Sequence, residues 1–568
     1  MSTAAALRIA SLAIALVAPE ASAQFPAGWV TKQKKITENQ NGLTVDLTAP
    51  ALFGVANCSL GDLDGDGNTD LLVGAYVDNT TGIYTGSVYV LFMNGNGTVK
   101  SHVQITSNTA GFNATLDPLD MFGWSVCNLG DVDGDGVVDV AVGAWLDDEP
   151  PVYDQGCIYI LFLKPNGTVK RYQRITTGIG GFTQQLYTET RFGTSLTPLG
   201  DLDGDGITEL LAGAIYDNDA AYLGGTVYTL FLDKMGKVKK HVKITMGQGG
   251  FFELIEHQER FGYASTNLGD IDLDGVNDVA IGSLLEDDGG PGRGAVYICF
   301  MRSDGWVKAT QKISSLAGNF TGQIDDEDQF GCSLAALPDL NGDGVTDLAV
   351  GAITDDDGGS DKGAVWILNL NRDGTVRSHS KISATEGGFP GIMLDPQDRF
   401  GQSIAMLGDL DHDGRIEIGI GADHDDDGGA DAGALYLVSL AKGPWTYVNG
   451  GAKGSLGKPE LYAMGLLVPG ATTTIELSKA PTNALALGLF SSTLSTLTWG
   501  SATLTVPNIV PPGMWFAAMT DASGKLAISD TWASTVPSGY EFYVQMWIHD
   551  PAAALGFAGT NMVKGTVP

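Results

Sequence analysis

The sequence predicts an all-β chain: a six-bladed β-propeller of repeats closed by an N-terminal strand, followed by a small β-sandwich. Three observations predict it. A Phe-Gly pair recurs at Phe53, Phe122, Phe192, Phe261, Phe330 and Phe400, in steps of 69 or 70 residues. Each copy leads into short apolar runs, such as Asp70 to Tyr76 and Ser87 to Met93, separated by Gly- and Asp-rich turns. With the segment from Phe53 and a polar run ending in Ile, that gives about four strands per repeat, the unit of a propeller blade. The third observation is the order of the pieces. The Ile-ending run closes at Ile105, Ile175, Ile244, Ile313 and Ile382, and its sixth copy lies at the N-terminus, Trp29 to Ile36. The array is therefore circularly permuted. An open solenoid has no use for that arrangement, whereas a ring can complete its last blade with the first strand.

Composition excludes several classes. Asp plus Glu number 67 against 32 Lys plus Arg in 568 residues, a formal charge of -35. Nucleic acid and anionic lipid both want a cationic face, so neither is an expected partner. At 43% hydrophobic, the chain is no disordered acidic tail. The start, with Arg8, the apolar Ile9 to Ala18 and the small residues Ala21-Ser22-Ala23, reads as a signal peptide over residues 1–23. No later run is long enough to span a bilayer. The expectation is a secreted or cell-surface protein with no transmembrane segment in the mature chain. The five Cys make no disulfide framework. They read as small buried side chains, with a Cys127–Cys157 pair as the alternative.

After each Phe-Gly comes one acidic template, D-x-D-x-D-G-x-x-D. The first copy places Asp62, Asp64, Asp66 and Asp70 at positions 1, 3, 5 and 9, with the Asn68 carbonyl at position 7. Alternate positions of a tight loop can turn oxygens toward one hard cation, and oxygen-only donors favour Ca²⁺. The later copies are Asp131, Asp133, Asp135, Val137 and Asp139; then Asp201, Asp203, Asp205, Ile207 and Glu209; then Asp270, Asp272, Asp274, Val276 and Asp278. The fifth is Asp339, Asn341, Asp343, Val345 and Asp347, and the sixth is Asp409, Asp411, Asp413, Arg415 and Glu417. Up to six Ca²⁺ ions are expected. Leu273 departs from the template where other loops have Gly. Loop six is expected to be the weakest, because Arg415 adds a positive charge, and the neutral Asn341 weakens loop five. Position 12 of the first loop is Val73, in a strand run, so this is not an EF-hand. The loops hold 23 of the acidic residues, and setting these aside leaves a formal charge of -12. Carboxylates packed this closely repel unless a cation joins them.

Phe53-Gly54, the loop from Asp62 to Asp70 and Gly74-Ala75, in fixed order, resemble the FG-GAP repeat of integrin α N-terminal propellers and of bacterial secreted proteins with a small C-terminal β domain. The resemblance spans about residues 29–441. It implies Ca²⁺ loops on one rim, interaction surfaces on the ring and no enzyme active site. Two departures stand out: six repeats where integrins have seven blades, and a loop in every repeat.

The propeller is expected over 24–443 and a C-terminal β-sandwich over 444–568, where charge thins and seven short strand-like runs appear. Trp515, Trp532, Tyr540 and Trp547 read as core residues, with sugar stacking as the alternative. A second acidic element follows each second strand: Asp147-Asp148-Glu149, Asp217-Asn218-Asp219, Glu286-Asp287-Asp288, Asp355-Asp356-Asp357 and Asp425-Asp426-Asp427. It reads as a turn-forming loop, or else as a second ion site or a surface for a cationic partner. His102, His241 and His379 share one phase and read as structural. The only local cluster suggestive of catalysis is His257 with Glu256 and Glu259. The expected function is non-catalytic binding or cell adhesion, with an extracellular protein or glycan ligand. The alternatives are a lectin, or a carbohydrate-active lyase or hydrolase on a propeller scaffold.

Overall fold

The computed structural model describes residues 25–47, 50–448, 452–456, 458–468, 471–492, 494–499, 502–507, 514–531, 540–553 and 557–567. The signal-peptide segment and Trp532 lie outside them, as does the side chain of Trp515. Contacts divide the chain into two units. The larger is Trp29–Pro338 with Val345–Leu440; the smaller is built on Ala441–Pro568 and takes in Asp339–Gly344.

The larger unit is six four-stranded antiparallel sheets. The first blade runs from its innermost strand Phe53–Gly61 through Asp70–Ala75 and Ser87–Met93 to the outer strand Val99–Ile105. The second and third strands are buried along their whole length, because both faces are covered. The outer strand shows water its middle and buries its ends. The last blade has the order Phe400–Gly408, Ile416–Ala422, Ala434–Leu440, with Val30–Ile36 as its outer strand. That N-terminal strand pairs antiparallel, from Ile36 opposite Leu435 to Val30 opposite Leu440. The permutation read in the sequence is thus how the ring closes.

The blades meet through glycine. A Cβ on Gly74 would lie 2.0 Å from the carbonyl oxygen of Gly123, in the next Phe-Gly. The same contact recurs at every junction, and Gly421 against Gly54 joins the last blade to the first at 1.9 Å. The hydrophobic cores accordingly lie between blades. One runs from Val55 and Leu72 of the first blade to Val140 and Leu161 of the second. Innermost strands surround an axial cavity of about 570 Å³, lined by Ser, Thr, Asn, Trp124 and Tyr263 with no charged residue among those described.

In the smaller unit, a five-stranded sheet (Trp445–Val448, Phe557–Thr566, Glu541–His549, Leu485–Ser491, Met514–Met519) and a three-stranded one (Glu460–Met464, Thr472–Ser478, Leu526–Thr531) share one core. Leu461 and Leu477 meet Val544, Ile548 and Val563 there. Leu494–Trp499 and Ala502–Pro507 form a separate hairpin. Trp445–Val448, Leu494–Trp499 and Phe557–Thr566 go beyond the seven expected strands, since none carries a strong alternation. Trp547 is buried, as a core residue should be.

All five cysteines are free. The Cys127–Cys157 alternative is overturned by register. Cys127 pairs with Ala141 while Cys157 pairs with Ala144, three residues further along the intervening strand.

Candidate metal centres

Each acidic loop joins the innermost strand of a blade to the second, so the loops share one rim. The loop is shaped by its own carboxylates. In the first, Asp62 Oδ1 accepts the Asp66 N–H at 2.9 Å and Asp62 Oδ2 accepts the Gly67 N–H at 2.9 Å. Asp66 Oδ1 accepts from the Asn68 N–H at 2.9 Å. The same pattern appears around Asp131, Asp201, Asp270, Asp339 and Asp409. At position 9, Asp70 is buried and bridges the sheet, taking the N–H of Leu63 and of Met93, each at 3.0 Å. Burial pushes its carboxyl up to about 6, and that of Asp139 up to about 7.

The structure brings the expected ligands together in five loops. Oxygens lying within 4.8 Å of one another come from Asp62, Asp64 and Asp66; Asp131, Asp133 and Asp139; Asp201, Asp203 and Glu209; Asp270, Asp272 and Asp278; and Asp409, Asp411 and Glu417. Loop five, split between the two units, gives no such group among the described residues. Positions 68, 137, 207, 276 and 415 each donate a backbone N–H to the position-5 carboxylate. The donor set fits a hard cation. Asp133 Oδ1, Asp411 Oδ1 and Glu209 Oε1 are buried oxygens that no N–H or O–H reaches. A buried oxygen without a donor is costly, and a cation removes that cost.

Sequence reasoning missed a basic residue at each loop. In five blades a lysine near the start of the outer strand sets its ammonium against positions 3 and 5: the second residue at Lys100, Lys170, Lys239 and Lys308, and the third at Lys32. In four of them its signal was Lys directly after a Gly-x-Val turn, as in Gly97 to Lys100 and Gly305 to Lys308.

The second acidic element is partly offset from within. The residue before the terminal Ile of each outer strand reaches it: Arg174 to Glu149 at 2.7 Å, Lys243 to Asp217 at 2.9 Å, Lys312 to Asp288 at 2.8 Å, Lys381 to Asp357 at 2.7 Å and Lys35 to Asp427 at 2.6 Å. In the first blade Gln104 donates to Asp78 instead. Each base offsets one charge of an element that carries two or three carboxylates.

His257 and Glu256 are exposed while Glu259 is buried. His241 packs its ring on Phe182, and His379 on Phe320 and Trp366, as structural positions do.

A repeated four-stranded blade with an acidic turn after its first strand defines the class. Residues 53–91, 122–161 and 330–368 match the FG-GAP repeat family, and the chain is an FG-GAP repeat protein, integrin-α-like in its propeller. It is 38% identical to integrin alpha-2 of Mus musculus over 166 residues, 28% of this chain and 13% of that protein. Against integrin alpha-PS2 of Drosophila melanogaster it is 30% identical over 238 residues, 40% of this chain and 15% of that one. The chain thus spans a small part of these relatives. Among solved structures, a fungal alcohol oxidase in complex with copper aligns over 95% of this chain and 99% of its own, at TM-score 0.33 and 10% identity. The Vibrio cholerae biofilm matrix protein Bap1 aligns over 98% and 70%, at TM-score 0.27 and 14% identity. Both scores are too low to mark a shared fold.

Proposed function

We propose that this chain is a secreted, calcium-stabilised propeller that acts as a non-catalytic binding or adhesion module. The observation that carries it is the division of labour between the two rims. One rim holds the carboxylate loops, where Asp and Glu at positions 1, 3, 5 and 9, with the position-7 carbonyl, would hold Ca²⁺. When bound, the ion supplies positive charge that lets these carboxylates pack. The other rim, made of the loops between second and third strands and between blades, displays large apolar side chains. Ile83, Tyr153, Tyr187, Tyr222, Phe252 and Ile392 are all more than half exposed there. The carboxylate rim exposes fewer, Leu273 and Met235 among them; an excess of exposed apolar side chains on one face supports an interaction surface there. The similarity to integrin α subunits supports an extracellular binding role for it. Among the described residues no helix is long and apolar enough to cross a membrane. Support for a non-catalytic role comes from the axial cavity, which no charged residue among those described lines.

The test is binding of protein and glycan arrays with calcium present. Replacing Tyr153, Tyr187 and Tyr222 by Ser should abolish capture while leaving the melting temperature unchanged. Turnover of a polysaccharide by the pure chain would replace this reading with the enzyme.

A further inference from the structure

We infer that the lysine near the start of the outer strand is a built-in competitor of the metal, so that the chain itself sets how tightly the loop beside it holds its ion. This rests on the calcium reading above.

Lys100 Nζ stands 2.7 Å from Asp64 Oδ2 and also reaches Asp66 Oδ2. Lys170 lies 3.0 Å from Asp133 Oδ2 and 2.6 Å from Asp135 Oδ2. Lys308 is 2.7 Å from Asp272 Oδ2 and touches Asp274, while Lys239 is 3.4 Å from Asp203 Oδ2 and touches Asp205. In the last blade Lys32, 3.0 Å from Asp411 Oδ2 and touching Asp413, comes from the closing strand. The fifth blade has Arg377 at this phase. The same two carboxylates are thus engaged in five separate loops, always from the opposite edge of the sheet.

The oxygens decide what happens next. In the first loop, Asp64 Oδ1 accepts the Asp66 N–H and Asp66 Oδ1 accepts the Asn68 N–H. The Oδ2 atoms of both are held by the ammonium. In this loop both oxygens at positions 3 and 5 therefore already have a partner, and an incoming cation that takes either residue must displace one; in the second and last loops Asp133 Oδ1 and Asp411 Oδ1 are left without a donor, and the ammonium holds the other oxygen of each. Displacing a backbone N–H leaves a donor that the tight loop cannot easily satisfy elsewhere. Displacing the ammonium costs little, because these lysine side chains are 30–49% exposed and can turn to water. In the first loop ion binding therefore exchanges one positive charge for two, and in the others the ammonium sits as a like charge on the same two carboxylates. In the ion-free state the lysine keeps the innermost-strand loop latched to the outer strand.

The test replaces Lys32, Lys100, Lys170, Lys239 and Lys308 together by Met, which keeps most of the apolar stem. Competition against a chromophoric chelator then reads Ca²⁺ affinity, and thermal unfolding in excess chelator reads the latch. We expect mean affinity to rise about tenfold, the order expected for removing a unit charge beside a divalent ion near the surface. The ion-free melting temperature should fall, while that of the calcium-saturated protein stays put. Should the quintuple variant not fold, Lys100→Met and Lys170→Met singly give the same readouts. A wild-type chain that binds calcium, with variants of equal or weaker affinity, overturns this inference alone. A wild-type chain that takes up no calcium overturns both it and the reading beneath it.

Discussion

At the residue scale, two sets of side chains sit at a cost. Leu273 and His412 adopt left-handed backbone, φ 66° and 57°, where the corresponding residues of other loops are Gly65, Gly134, Gly204 and Gly342. A non-glycine residue gives up roughly 1–2 kcal/mol in that conformation. Leu273→Gly should therefore stabilise the propeller by about 1 kcal/mol in denaturant unfolding; loss of stability would contradict this account of the loop. The second set is the carboxyls beneath the other acidic turns. Burial, with Asp147 beside it, pushes Asp120 up to about 8, and burial pushes Asp328 up to about 7. Their unfolded values lie near 4. Between these limits the folded state holds protons that the unfolded chain has lost, so stability falls as pH rises. The penalty is absent below pH ~4 and complete above pH ~8. Asp120→Asn and Asp328→Asn should flatten that decline, read as melting temperature from pH 5 to 8. An unaltered slope would show that these groups titrate normally.

At the element scale, the junction between blades is set by two glycines meeting. Gly74→Ala puts a methyl 2.0 Å from the Gly123 carbonyl oxygen, which neither backbone can avoid without moving. Overpacking of this kind costs roughly 1–3 kcal/mol, and a backbone neighbour leaves little room for relief. We expect about 3 kcal/mol lost, measured by urea unfolding. This explains the Phe-Gly and Gly-Ala signatures, whose spacing was legible in the sequence although their mutual contact was not. Strand order and the closing strand were legible because permutation has one geometric solution. The ion loops were legible from Asp spacing. The lysines were not, because Lys100 pairs with Asp64 across the width of a blade, and no local periodicity reports a partner 36 residues away. The second acidic element was ambiguous for the same reason, since the base that partly offsets it lies on the outer strand. In the C-terminal unit Phe557–Thr566, with Gly559 and Gly565 inside it, lacked the β-branched alternation that marks a strand.

At the scale of the whole molecule, the excess negative charge is organised rather than diffuse. The carboxylate loops hold part of it on one rim and the second acidic elements hold part on the other; Lys and Arg offset some of each, and ions are proposed to offset more at the carboxylate loops. Mass action gives the size of the effect. At 1 mM calcium and a dissociation constant of ~10⁻⁴ M, each site contributes about 1.4 kcal/mol. Five sites with grouped oxygens then contribute about 7 kcal/mol. Spread over a propeller of about 400 residues, that is a shift of roughly 8 °C. The lysine latches reduce it by holding the ion-free state together. The most direct measurement is thermal unfolding of the full chain in 1 mM calcium and in excess chelator. The account predicts a propeller transition several degrees higher with calcium, restored when calcium is returned after chelation. Identical transitions in the two solutions would contradict it.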